Sequence, residues 1–153
     1  MKYFKKITVG IGIFLIMLAV AGLYKVLLLD KVRGKFQIVR IGDVSFEVDI
    51  ADNPISQAKG LSGREFIEDN KGMLFLFGNY GKRSFWMQGM KFPLDIIWIS
   101  DDKIVGVSEN LPPPGFGEVK VYDSPENVDK VLEINAGLFR KFGFKIGDKI
   151  VLE

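Results

Sequence analysis

The chain has 153 residues, 48% of them hydrophobic and 26% charged, which suits one globular domain with one core rather than a disordered or multidomain protein. It has no Cys and no His, so thiol catalysis, Ser-His-Asp triads and conventional zinc or iron sites are excluded, and no cofactor or metal is implied. The net charge of +2 is uneven: residues 1–35 carry seven basic groups against Asp30, whereas residues 36–153 carry fourteen basic and eighteen acidic groups, a balance that repels phosphate backbones and excludes nucleic acid as a natural partner.

Ile7 to Tyr24 is apolar or Gly except for Thr8, with Lys2, Lys5 and Lys6 before it and Lys25 and then Val26 to Leu29 after it. As a helix this run spans about 27 Å, or about 35 Å through Leu29, enough to cross a bilayer. The predicted organisation is an anchor over residues 1–29, a linker over 30–35 and a folded domain over 36–153. Three lysines on a short amino-terminal tail favour a cytoplasmic N-terminus and an extracytoplasmic domain on a single-pass protein. A competing reading is a secretory signal cleaved near Ala21, because Ala19-Val20-Ala21 has the small-x-small pattern; the apolar residues that resume at Val26 favour the retained anchor. Gly10-Ile11-Gly12 lies inside the apolar run and lacks the strand before it that a dinucleotide loop needs.

Beyond Lys35 the period changes. Val44, Phe46, Val48 and Ile50 alternate with polar residues, as a half-buried strand requires, and form a hairpin with Phe36 to Ile41 across Gly42-Asp43. Asn53-Pro54 opens a short helix to about Lys59, with Asn as cap and Pro at the first helical position, ending at Gly60. Met73 to Phe77 is apolar at every position and reads as a central strand covered on both faces. Leu94 to Ile99 and Lys103 to Val107 form a second hairpin across Asp101-Asp102, and Pro112-Pro113-Pro114-Gly115 is a loop. Glu118 to Tyr122 and Val128 to Ile134 are strands, Ala136 to Phe142 a short helix and Lys149 to Leu152 the last strand. The fold class is mainly β: a single compact β sandwich or barrel with one or two short helices, preceded by an N-terminal transmembrane helix.

The densest stretch is Ser84 to Asp95, which places Phe85, Trp86, Met87, Met90 and Phe92 beside Pro93 and a lone carboxylate. Three segments occur in order: Gly60-Leu61 and Arg64 followed by Gly72 to Phe77; Ser84-Phe85-Trp86-Met87 with Phe92-Pro93-Leu94-Asp95; and Leu132 to Gly137. In these the chain resembles the domain-of-unknown-function 192 family over about residues 36–153. The resemblance implies a small, mainly β domain, often behind a signal or anchor, with no established activity. Ser62 stands where that family often has Met, and Gly89-Met90 where it often has Asn-Thr.

Trp86, Met87 and Met90 beside Asp95 have the composition of an apolar ligand site with one convergent charge, and equally of a core segment. Asp95 and Glu133 each interrupt an apolar strand, where an ionised group needs a partner or a wet cleft. Facing each other they would make an acid/base pair for hydrolysis of glycans; alternatively one of them pairs with Arg64 as a structural ion pair. The candidate ligand-binding residues are therefore Arg64, Trp86, Met87, Met90, Asp95 and Glu133, with Asp95 and Glu133 as catalytic residues only if the protein is an enzyme. Ser56-Gln57-Ala58-Lys59 matches a Ser-x-x-Lys signature by chance, since its companion motifs are missing, and neither Asp49 with Asp52 nor Asp101 with Asp102 has calcium-loop spacing. The function these features favour is a noncatalytic module, anchored through residues 7–29, that binds a small ligand, an envelope component or a protein partner. The alternatives are the carboxylate-pair hydrolase and a structural interaction domain.

Overall fold

A computed structural model describes residues 15–25, 36–115 and 120–153. Residues 15–25 form helix α1, in which every residue is exposed. Among the described residues no helix is long and apolar enough to cross a membrane, and the remainder of the predicted span lies outside them. The transmembrane helix expected over residues 7–29 is therefore not seen as such.

Phe36–Glu153 forms a unit of its own. Its strands are β1 Phe36–Ile41, β2 Val44–Ala51, β3 Lys71–Gly81, β4 Ser84–Trp86, β5 Leu94–Ser100, β6 Lys103–Leu111, β7 Val121–Asp123, β8 Val128–Asn135 and β9 Ile150–Leu152. Helix α2 covers Pro54–Lys59 and α3 Leu138–Lys141. Seven strands make one sheet in the order β6-β5-β8-β3-β2-β1-β9, and β4 and β7 make a separate two-stranded ribbon.

The sheet curls as a partial barrel. Its outermost strands meet at one end, where Ile104 N donates to Asp148 O (3.0 Å), Gly147 N to Ile104 O (2.8 Å) and Ile150 N to Asp102 O (2.7 Å). The sandwich expected as one option is absent, because a single sheet carries both cores. One face, with Val39, Phe46, Leu74, Ile97, Ile104, Leu132 and Ile150 from all seven strands, packs on Leu138 and Phe139 of α3 and on Phe144. The other face, with Ala51, Met73, Phe75, Ile96, Trp98 and Val131, is roofed by Leu61, Ile67, Met87 and Met90 from two loops and by Phe85 and Tyr122 of the ribbon.

Local chemistry explains the elements that place the roof. Asn53 Oδ1 accepts from Ser56 N (3.0 Å) and Ser56 Oγ from Asn53 N (3.2 Å), a reciprocal capping box in front of Pro54 that starts α2 and leaves Ser56 no catalytic freedom. The helix ends at Gly60, whose positive φ of 50° suits a residue without Cβ. The third helix is shorter than the expected 136–142, because Gly137 at φ 82° precedes its first turn and Phe142 closes it.

Strand β3 sits at the centre of the sheet, parallel to β2 and antiparallel to β8, and alternates Met73 and Phe75 to one core with Leu74 to the other. This is why it reads as apolar at every position. At Gly72 a Cβ would lie 2.5 Å from Glu133 O, so β3 and β8 can approach this closely beside Glu133 only with glycine there.

Candidate functional site

The roofed face of the sheet is not filled. Between the end of α2, the β4 strand and the sheet is a pocket of about 160 Å³, lined by Lys59, Gly60, Leu61, Phe75, Phe77, Arg83, Phe85, Trp86, Met90 and Glu133 among others. Each wall has a local cause. Phe75 reaches the pocket from β3 by strand alternation, and Phe85 from β4 stands edge-on to it at 4.8 Å between ring centroids and to Trp98 at 5.5 Å. Gly60 keeps the near wall thin: a Cβ there would lie 3.4 Å from Phe75 Cζ and 3.9 Å from Glu133 Oε2.

Glu133 is the polar residue at the base of this apolar space. The residue is 5% exposed, and Oε2 has no hydrogen-bond partner among the described residues. Removal from water, with nothing to repay it, pushes its carboxyl up from 4.5 to about 8, so at neutral pH it is mostly protonated and can donate a hydrogen bond. Arg83 faces the same space. Its guanidinium carbon lies 4.1 Å over the Phe77 ring, one terminal nitrogen donates to Asn79 O and Oδ1, and Nε is buried without a partner. Two residues that line the pocket, Glu133 and Arg83, thus each carry a buried polar atom without a partner among the described residues.

Asp95 is elsewhere. On the β5/β8 pair, Ile96 lies opposite Glu133 and Asp95 opposite Ile134, so the two carboxylates point to opposite faces of the sheet. Asp95 is fully buried on the α3 side, where Oδ1 accepts from Asn110 N (2.8 Å) and Oδ2 from Phe139 N (3.0 Å). It ties the end of β6, where Asn110 has a left-handed φ of 54°, to the first turn of α3. The acid/base pair expected for a hydrolase is therefore not assembled, because two carboxyls on opposite faces of one sheet cannot flank one scissile bond.

The remaining candidates divide. Trp86 is 48% exposed at the pocket mouth and Met90 is buried in its wall, whereas Met87 is buried in the core and does not line it. Arg64 pairs with Asp49, not with Asp95 or Glu133. Asp49 lies opposite Met73, which lies opposite Glu133, so this ion pair shares the roofed face with the pocket without lining it. Arg83, Phe75, Phe77, Phe85 and Lys59 are site residues that the sequence reading missed; the available signal was Arg83 immediately before the aromatic stretch. Ser62 and Gly89 are in contact: Ser62 Oγ donates to Gln88 O (2.8 Å), and a Cβ on Gly89 would lie 3.2 Å from Ser62 Cβ. The two positions where the chain differs from the pattern it resembles thus touch each other beside Met90.

The profile of the domain-of-unknown-function 192 family, described as "Uncharacterized ACR", matches residues 37–152. The chain belongs to this family. Two solved structures of similar fold place the architecture in context. One, a candidate transcription regulator from Sinorhizobium meliloti 1021, is 30% identical, with a TM-score of 0.69 over 77% of this chain and 92% of its own. The other, a protein of unknown function from Novosphingobium aromaticivorans DSM 12444, is 32% identical, with a TM-score of 0.68 over 76% of this chain and 83% of its own. No functionally curated protein matches.

Proposed function

We propose that residues 36–153 form a noncatalytic binding module that takes a small ligand in the pocket over Glu133. The observation that carries this reading is Glu133 itself: a buried carboxyl oxygen without a partner, at the base of a pocket with aromatic walls, costs folding free energy unless something outside the chain completes it. The pocket is smaller than those that enclose drug-sized ligands, and by volume it has room for about five waters or one compact molecule. A regulator of transcription is a poor fit to this chain, because the folded part is net acidic.

The test is native mass spectrometry of the full chain beside its Ala58→Trp variant, in which an indole from the exposed end of α2 closes the pocket mouth without touching either core. The expected result is a small adduct on the wild-type chain that is lost in the variant. An adduct retained at equal occupancy by the variant would place the ligand elsewhere.

The same proposal includes anchorage through residues 7–29 with the domain outside the cytoplasm, either as a small-ligand module or as one serving an envelope component or partner protein. It is supported by Lys2, Lys5 and Lys6 before the apolar run and by α1, whose Leu15, Ile16, Met17, Leu18 and Leu23 are all exposed and need an apolar environment. Carbonate extraction of membranes from cells making the full chain is expected to leave it in the pellet. Release into the supernatant would remove the anchor from the account.

A further inference from the structure

The charged and acidic side chains that line the pocket constrain the ligand's charge as well as its size. A cation would meet Lys59 on the α2 side and Arg83 on the β4 side, and Glu133, the one acidic group lining the pocket among the described residues, is mostly neutral there. A neutral ligand would leave the half-buried Arg83 guanidinium without the anion that such a group prefers. An anion satisfies both, because a protonated carboxyl and a guanidinium N–H are each donors to the same kind of acceptor. The asymmetry of the walls supplies the rest: polar atoms on the Glu133 and Arg83 sides, and rings from Phe75, Phe85 and Trp86 for a hydrocarbon body.

We propose that the pocket selects a compact apolar or aromatic monocarboxylate, its carboxylate accepting hydrogen bonds from the Glu133 carboxyl and Arg83 Nε and its hydrocarbon part packing on Phe75, Phe85 and Trp86. The assignment rests on the reading of this pocket as a ligand site and adds the ligand's charge and class to it. It carries a pH signature. A bound carboxylate favours the protonated Glu133, so affinity is level below the carboxyl's own titration and falls as pH rises through it; an ammonium ligand would show the reverse. Among the described residues, the charged side chains that share the pocket lining with Glu133 are Lys59 and Arg83. The Arg64–Asp49 pair lies farther along the same face, and Asp123 is held by Ser84 Oγ on the ribbon (2.6 Å).

The test titrates the full chain with three probes of one size, phenylacetate, phenylacetamide and phenethylamine, following tryptophan fluorescence, with Trp86→Phe to separate the signal of Trp86 at the pocket mouth from that of Trp98. At pH 6.5 phenylacetate is expected to bind about tenfold tighter than either of the others and to weaken about tenfold by pH 9. Glu133→Gln, which keeps a donor at that place, is expected to hold phenylacetate within about threefold and to lose the pH dependence, whereas Arg83→Gln weakens it about tenfold at all pH values. Phenethylamine or phenylacetamide binding as tightly as phenylacetate would overturn the charge assignment while leaving the pocket a ligand site. Failure of all three probes to bind would overturn the ligand-site reading and this inference with it.

Discussion

Replacing Asp95 with Ala is expected to lower the unfolding free energy by about 2–4 kcal/mol, because it strands one buried and one part-buried backbone N–H donor, at up to about 1–3 kcal/mol each, and leaves a small void. The donors are those of Asn110 and Phe139, which Asp95 brings together from β6 and α3. Asp95→Asn keeps one acceptor but turns an amide donor toward a backbone donor, so its loss is expected to be smaller yet well above 1 kcal/mol. Urea unfolding of the full chain measures both. If Asp95 were instead a ligand or catalytic group, the substitution would leave the fold nearly unchanged and abolish binding. The opposite pattern is expected here: a weakened fold that still binds phenylacetate, since Asp95 lies on the face of the sheet away from the pocket.

Glu133→Met is expected to do the reverse and stabilise the fold. A carboxyl whose folded pKa is about 8 against an ordinary 4.5 binds its proton more tightly folded than unfolded. Below pH 4.5 both states are protonated and there is no penalty. As pH rises from 4.5 to 8 the unfolded chain ionises first, so stability falls, and above 8 the loss is complete. The shift corresponds to roughly 3 kcal/mol at pH 7 and 4–5 kcal/mol above pH 8. The difference in unfolding free energy between Glu133→Met and wild type is therefore expected to widen from pH 4.5 to pH 8 and then level. A difference that is constant over this range would mean that Glu133 ionises normally in the fold. A residue that weakens its own domain at neutral pH, in a pocket open at one side, is the pattern of a site whose requirement lies outside the chain.

Much of the fold is legible locally. The alternation from Val44 to Ile50, the Asn53-Pro54 cap and the two-faced apolar run of Met73 to Phe77 each name an element correctly, because each signal lies within the element it describes. The ribbon is not legible in this way: Ser84 to Trp86 is three residues long and becomes a strand only by pairing with Val121 to Asp123, far along the chain. The pairing of Asp95 with Glu133 failed for a related reason. Both sit in apolar strands of period two, and the period alone does not say which face each carboxyl takes. That is set by the register of β5 on β8, and a slip of one residue would have put the two on one face. Arg64 likewise found Asp49, a residue of a polar-apolar strand that local pattern marks only as solvent-facing. The aromatic stretch from Phe85 to Met90 splits residue by residue: Trp86 and Met90 border the pocket, while Met87 lies in the core that supports it.

The most direct measurement is the titration of the Glu133 side-chain carboxyl by carbon NMR in the full chain, assigned through Glu133→Gln, with and without phenylacetate. The carboxyl is expected to titrate near pH 8 in the free protein and to move higher when the pocket is filled. A midpoint close to 4.5, unmoved by the ligand, would mean that Glu133 is a solvated carboxylate, and the pocket would lose the feature on which its function is argued.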